Sequence, residues 1–204
     1  GQLSQEGLEG GFRYGDAQTD DARLVLRVIR EAVADGATAI NYTRAEVLIT
    51  DENGRVEGVR LCDREGNRTA EAKATVVINA SGAWADGLRP GNENDKKIRP
   101  LRGSHLIFPS WKLPVAQAVS FLHPLDQRPV FILPWEEVTI VGTTDEDHFE
   151  TLDNEPCIIG EEVAYLMAAV EARYPSLGLT LNDIRSTYAG VRPVISSGKV
   201  EASK

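Results

Sequence analysis

The sequence lacks several features that would place it in a specialised class of protein. None of its 204 residues belongs to a run of about 18 apolar residues, which a membrane-spanning helix requires. No basic segment followed by an apolar one opens the chain, so a secretory signal peptide is not expected. The two cysteines, Cys62 and Cys157, are far apart and fit neither a metal site nor a redox motif. Free thiols of an intracellular protein are therefore favoured over a disulfide.

Motifs of several enzyme classes are also missing. The sequence contains no Gly-x-Gly-x-x-Gly turn, no P-loop, no His-Glu-x-x-His and no Gly-x-Ser-x-Gly. Its three histidines, His105, His123 and His148, do not have the spacing of metal ligands. The acidic residues between positions 16 and 21 precede a helical pattern, where carboxylates usually act as caps. We therefore expect no metal site.

The charge balance argues against one class of partner. The formal net charge is -9, with 31 acidic against 22 basic residues, which repels the phosphates of nucleic acids. We therefore expect no nucleic-acid partner. A small phosphorylated substrate is still compatible with this charge, because a few local arginines can outweigh the global field.

Hydrophobic periodicity predicts a mixture of helices and strands. Asp20 and Asp21 supply caps for a helix whose apolar residues recur at helical spacing until Gly36. A β-branched run at 75–79 indicates a strand buried on both faces, as in a parallel sheet. A second helix is predicted over 159–174. Further strands are predicted at 46–50, 56–61, 68–73, 104–108, 118–122, 129–133, 138–141 and 188–194.

The polar stretch 86–97 separates two patterns and is predicted to be a loop that crosses between domains. After this loop, four strands follow one another closely with no helix between them. Such spacing argues for antiparallel pairing. A short helical turn is predicted near 181–186, and the last ten residues are predicted to form a frayed tail.

Four short strings hold candidate functional residues. His105, next to Gly103 and Ser104, is either a proton acceptor or an ordinary hydrogen-bonded histidine. Residue chemistry alone favours the ordinary histidine. Arg192, held between glycine and proline, suits a phosphate or carboxylate, but a structural salt bridge explains it equally well. The string 142–145 is either a ligand-facing loop or a strand-end turn, and 79–84 either a cofactor-facing turn or tight packing.

Six short strings, taken together in chain order, resemble the FAD-dependent glycerol-3-phosphate dehydrogenase family, which has the architecture of the D-amino-acid oxidase-like flavoproteins. The resemblance covers the chain from about Gly11 to Val194. The strings that carry it are Tyr14-Gly15-Asp16 with Asp20-Asp21-Ala22-Arg23-Leu24, Asn79-Ala80-Ser81-Gly82-Ala83-Trp84, Gly103-Ser104-His105, Phe131-Ile132-Leu133-Pro134-Trp135, Gly142-Thr143-Thr144-Asp145 and Tyr188-Ala189-Gly190-Val191-Arg192-Pro193.

The resemblance implies a fold and a reaction. The expected class is α+β, with an antiparallel-sheet substrate-binding domain (98–204) joined to an incomplete doubly wound FAD-binding half with a strand meander (1–97). The family moves a hydride from C2 of sn-glycerol 3-phosphate to FAD, giving dihydroxyacetone phosphate. By position, His105 is implied as the catalytic base, Arg192 as the substrate-binding residue, and Ser81 and Gly82 as cofactor-binding residues. Arg102 stands where the family commonly has lysine, so any role of that lysine is in doubt here.

The resemblance also implies that parts of the enzyme are missing. The family's glycine-rich turn would lie before residue 1, and its late Gly-Gly-Lys segment after residue 204. Met167 is the only methionine, and the chain begins Gly1-Gln2-Leu3. We therefore expect an internal fragment of an oxidoreductase of glycerol metabolism, inactive by itself and without bound FAD.

Two other functions remain open for this chain, and the family resemblance also implies partners and a location. An amine or amino-acid oxidase shares the architecture and also uses a substrate arginine, and the isolated chain is alternatively a non-catalytic binding module. The family implies a quinone or another electron acceptor and a cytoplasmic location, in many members peripheral on the inner face of the cytoplasmic membrane. Sheet edges left open by missing strands make a homo-oligomer plausible.

Overall fold

The computed structural model describes residues 2–89 and 96–196, and these fall into two units. One unit is Glu9–Ala80, and the other contains residues up to Leu8 together with those from Ser81 onward. Both units contain antiparallel sheets and helices, which confirms the α+β class. The assignment of 1–97 to a flavin half and 98–204 to a substrate half stays a prediction. Most of the predicted tail, 197–204, lies outside the described residues.

The unit Glu9–Ala80 contains one helix and a three-stranded meander. The helix α1 (Asp21–Ala34) begins where predicted, because the Asp20 carboxylate accepts a hydrogen bond of 3.0 Å from the backbone N–H of Arg23. The strands, adjacent in chain order, are β1 (Thr43–Thr50), β2 (Val56–Asp63) and β3 (Thr69–Lys73). The three predicted strands of this region are therefore confirmed.

The buried strand predicted at 75–79 is wrong. The structure assigns no strand there, and Val76 and Ile78 are 72% and 85% exposed. A parallel strand gains its hydrogen bonds and burial only from neighbouring strands, and the described part of the chain places none beside this segment. The β-branched run shows the local preference, but that preference does not supply a partner.

The predicted loop 86–97 is partly wrong. Its first residues belong to a 3₁₀ helix, Gly82–Leu88, while 90–95 lie outside the described residues. The Asp86 carboxylate accepts hydrogen bonds from the backbone N–H groups of Lys97 (2.9 Å) and Ile98 (2.8 Å). This carboxylate therefore ties the helix to the start of the next strand.

The second unit is built on a six-stranded antiparallel sheet whose long strand is β4 (Ile98–Pro109). The other strands are β5 (Val119–Leu122), β6 (Pro129–Trp135), β7 (Val138–Gly142), β8 (Glu146–Asp147) and β9 (Ser186–Ile195). β7, β8 and β9 all pair with β4, and β6 and β5 continue the sheet beyond β7. The predicted strands are confirmed, but the two-residue β8 and the first half of β4 were missed.

One face of this sheet packs on the helix α2 (Gly160–Arg173), which agrees with the predicted helix. Successive strand residues point to opposite faces, so Ser104, Leu106 and Phe108 lie on the α2 side, and Gly103 and His105 on the other. The core beneath α2 consists of Leu106, Phe108, Leu113, Val130, Ile132, Val141, Leu166, Ala169, Val170 and Tyr174. A core on one face leaves the second face for the candidate site.

Candidate active site

His105 lies near the middle of β4, on the sheet face opposite α2. Its backbone pairs with Gly142 of β7 and with Tyr188 of β9. The imidazole stacks on the Tyr188 ring, with centroids 4.4 Å apart and planes inclined by 7°. A methyl group at Gly142 would overlap the imidazole, so the ring occupies the space that this glycine leaves free.

The imidazole of His105 is neutral near pH 7. Burial lowers its pKa, and the charge of Arg192 lowers the pKa further, from 6.5 to about 4. Its Nδ1 atom is buried and accepts no hydrogen bond from the described residues. A neutral, partly desolvated imidazole can accept a proton, which is the chemistry of a general base.

Arg192 lies on β9 and shares the sheet face of His105. Its guanidinium occupies the space above Gly103, where a methyl group would overlap it. Nη2 donates a hydrogen bond of 2.9 Å to the Thr143 hydroxyl, and Nη1 lies 3.3 Å from a carboxylate oxygen of Asp145. The side chain is still 42% exposed, so a guanidinium held on one side can bind an anion on the other.

The string 142–145 contributes to this site through Thr143 and Asp145. Both residues contact Arg192, and the contact with Asp145 is a salt bridge of the kind held open for this arginine. The ligand-facing interpretation of 142–145 stays a prediction. Tyr188 was within the resemblance, but the residues alone did not single it out. Only the strand register places it beside His105, and sequence patterns do not specify that register.

Ser81 and Gly82 begin the 3₁₀ helix Gly82–Leu88, which packs against β4 and β9. Gly82 has a φ of +60°, a left-handed conformation that favours glycine. The structure therefore places this turn in the same unit as His105 and Arg192.

Arg102 lies on the other side of the sheet. Its side chain is buried on the α2 face and forms an ion pair of 3.0 Å with Glu162. Because strand residues alternate, Arg102 cannot share a face with its neighbour Gly103 or with His105. Arg102, which stands where the family commonly has lysine, therefore lies in the interior of the unit and not on the sheet face that carries His105.

The other two histidines lie outside this site. His123 is fully buried, with one ring nitrogen 2.9 Å from the Tyr165 carbonyl and the other accepting from the Leu125 N–H. His148 is buried as well. In the ranges 2–89 and 96–196, no group of three or more His, Cys, Asp or Glu side chains has the geometry of a metal site.

The family of the chain follows from a comparison with known proteins. A profile described as FAD dependent oxidoreductase matches residues 2–201. The chain belongs to this family. Within the described residues, no helix is long and apolar enough to cross a membrane.

Individual proteins that are similar to this chain include curated enzymes and solved structures. The chain is 40% identical over 195 residues to an aerobic glycerol-3-phosphate dehydrogenase of Staphylococcus aureus (strain USA300), covering 95% of this chain and 35% of that protein. It therefore spans about a third of the length of such relatives. The crystal structure of a glycerol-3-phosphate dehydrogenase from Bacillus halodurans, complexed with FAD, matches with a TM-score of 0.87 and 38% identity, over 97% of this chain and 40% of that one. A glycine oxidase from Bacillus cereus matches with a TM-score of 0.62 and 22% identity, over 83% of this chain and 43% of that one, a likeness of fold alone.

Proposed function

We propose that this chain is part of an FAD-dependent glycerol-3-phosphate dehydrogenase and contributes its substrate-binding residues. The observation that carries the proposal is the pairing of a neutral His105 with an anchored but accessible Arg192 on one sheet face. The 40% identity to the Staphylococcus aureus enzyme supports the same substrate. In this proposal, residues 98–204 bind the substrate and 1–97 belong to the FAD-binding half.

Arg192 binds the phosphate group of the substrate, and the Thr143 hydroxyl holds the guanidinium in place from the other side. His105 accepts the proton of the C2 hydroxyl on its imidazole. A phosphate on Arg192 offsets the positive charge that helps to lower the pKa of His105. Substrate binding thereby raises that pKa and makes His105 a stronger base when the substrate is present.

The residues around His105 fit a flat cofactor. Phe131, Gly142, His105 and Tyr188 are paired in one row across the sheet, and Phe131 and Tyr188 are 41% and 47% exposed. Such a row offers a partly exposed aromatic surface in which the His105 imidazole fills the space left by Gly142, and this surface suits an aromatic ring system. Ser81 and Gly82 are the residues proposed to lie against the bound FAD. When bound, FAD supplies the acceptor for the hydride that leaves C2.

The test uses the full-length protein that contains this chain, assayed on glycerol 3-phosphate, glycine and D-amino acids. We expect oxidation of glycerol 3-phosphate alone. The Arg192→Met variant should raise KM for glycerol 3-phosphate roughly a hundredfold, since a charge-assisted bidentate contact is lost. Arg185→Met removes an exposed arginine of the same unit and is the matched control.

Oxidation of glycine or D-amino acids, without activity on glycerol 3-phosphate, would instead support an amino-acid oxidase. A full-length protein with no activity on any of these substrates would favour a non-catalytic binding module. Either result overturns the proposal.

The electron acceptor and location of the parent enzyme, and the assembly of the isolated chain, complete the proposal. By the family resemblance, the acceptor is a quinone or another electron acceptor, and the enzyme works in the cytoplasm, peripherally on the inner face of the cytoplasmic membrane. Homo-oligomerisation is proposed for the 204-residue chain, through the sheet edges that missing strands leave open. Reduction of a soluble quinone analogue by the substrate-reduced enzyme, co-sedimentation with vesicles of bacterial lipid, and light scattering test these three points in turn.

A further inference from the structure

A buried carboxylate lies directly behind the strand that carries His105. Glu162, in the first turn of α2, accepts hydrogen bonds at Oε1 from the hydroxyls of Ser104 (2.8 Å) and Thr144 (2.6 Å). Its Oε2 accepts from Nε of Arg102 (3.0 Å) and from the backbone N–H that precedes α2 (3.1 Å). One side chain therefore joins β4, the segment 143–145 and α2.

The network is desolvated and electrically balanced. Glu162 and Arg102 are 3% and 6% exposed. Burial raises the pKa of Glu162, but the hydrogen bonds from Thr144, the helix start and Ser104, with the charge of Arg102, outweigh burial and lower it overall. Glu162 is therefore ionised at neutral pH, and all its acceptor positions are used.

The network reaches the candidate site through chain neighbours. Ser104 precedes His105 on β4, and Thr144 follows Thr143, whose hydroxyl accepts from Arg192. The residues bound to Glu162 point to the α2 face, and their neighbours point to the site face. A shift of either backbone segment on one face would move the site residues on the other.

The segment 143–145 needs this support because the regular strand ladder stops before it. The β4–β7 pairing ends at His105 and Gly142, and the β4–β8 pairing starts only at Glu146. Between them, Thr144 and Ser104 exchange hydrogen bonds: the Ser104 N–H donates to the Thr144 hydroxyl (2.8 Å) and the Thr144 N–H to the Ser104 carbonyl (3.3 Å). Glu162 then fixes both hydroxyls.

We propose that Glu162 is a positioning residue of the active site: through Thr144 and Ser104 it sets the place of Thr143 against Arg192 and of the His105 ring. This inference rests on the proposed function only for its kinetic readout. The competing interpretation is that the network stabilises the fold and has no influence on the site.

The kinetic test introduces Thr144→Val into the full-length protein, because valine keeps the shape and removes the hydroxyl. We expect kcat/KM for glycerol 3-phosphate to fall roughly 10- to 100-fold, since small misplacements of reacting groups cost rates of this size. The loss should appear in kcat as well as KM, and Thr144→Ser should restore most of it. Glu162→Gln should show a larger loss, and Glu161→Gln, an exposed neighbour on α2, none.

A second measurement keeps the inference testable if Glu162→Gln fails to fold or if the wild-type protein does not oxidise glycerol 3-phosphate. In the 204-residue chain, Thr144→Val should shift the NMR signals of the His105 ring and of the Arg192 side chain, while Glu161→Gln leaves them in place. Unchanged signals, or an unchanged kcat/KM in an active enzyme, overturn the positioning role. Absence of activity in the wild type with shifted signals would count against the proposed function alone.

Discussion

At the scale of single residues, the ionisation of His105 decides what the site can do. Burial and the neighbouring charge of Arg192 both disfavour the imidazolium, so the pKa is about 4. Because this value lies below the 6.5 of the unfolded chain, the folded state binds the proton less readily. His105 therefore contributes stability at pH values above about 6.5 that is lost as the pH falls through about 4.

Removal of the arginine charge should raise the pKa of His105. In Arg192→Met, we expect a pKa above about 4 but still below 6.5, because burial is the larger of the two causes and is retained. NMR titration of the His105 ring in the 204-residue chain measures this directly. Arg185→Met is again the control, and a pKa that stays the same or falls in Arg192→Met would contradict the electrostatic argument.

At the scale of elements, the ladder between β4 and β9 contains a pair of glycines with different surroundings. Gly103 pairs with Gly190. A methyl group at Gly103 would overlap the guanidinium of Arg192, whereas nothing lies within 4 Å of the corresponding position at Gly190. The first glycine is thus needed for the placement of a side chain from the neighbouring strand, and the second is not.

Because of this difference, we expect an alanine substitution to change KM at Gly103 but not at Gly190. In the full-length protein with the proposed function, Gly103→Ala should push the flexible end of Arg192 away from Thr143. KM for glycerol 3-phosphate should then rise roughly tenfold or more, the worth of a hydrogen bond to a charged group. Thermal unfolding should change little, because the displaced group is the end of a side chain and not backbone. Gly190→Ala should leave KM unaltered. Equal effects of the two substitutions on KM would rule out this steric account.

The elements themselves were largely predictable, because their signals are local. The Asp20 cap and the helical periodicity predicted α1, and the β-branched and turn residues predicted the antiparallel strands. The first half of β4 was missed because Pro100 and Gly103 weaken the strand pattern. The run at 75–79 failed for the opposite reason, since its composition favours a strand but no described strand pairs with it.

At the scale of the whole molecule, the unit Glu9–Ala80 leaves much of its apolar surface exposed. α1 has no buried residue, and its apolar side chains are among the exposed ones. Helices of about this length are marginal in water unless an apolar face is packed. This exposed apolar surface supports the proposal that the chain is part of a longer enzyme.

The same proposal predicts how the chain behaves when purified alone. The sequence contains no Gly-x-Gly-x-x-Gly turn, the motif whose backbone N–H groups hold the pyrophosphate of a dinucleotide. We expect the purified 204-residue chain to show no visible flavin absorbance, whereas the full-length protein purified in parallel should be yellow. A chain that retains FAD in equimolar amount after gel filtration would contradict this expectation.

Local patterns in the sequence determined the helices, the caps and turns, and most of the strands, because these depend on neighbours in the chain. The α+β class and a phosphorylated substrate followed only from the family resemblance. Only the tertiary structure decided which of those residues meet. The strand register brings His105, Tyr188 and Arg192 onto one face of the sheet. The alternation of β4 sends Arg102 and Ser104 to the other face, where Glu162 binds both. Register and pairing depend on residues distant in sequence, so no local pattern could reveal them.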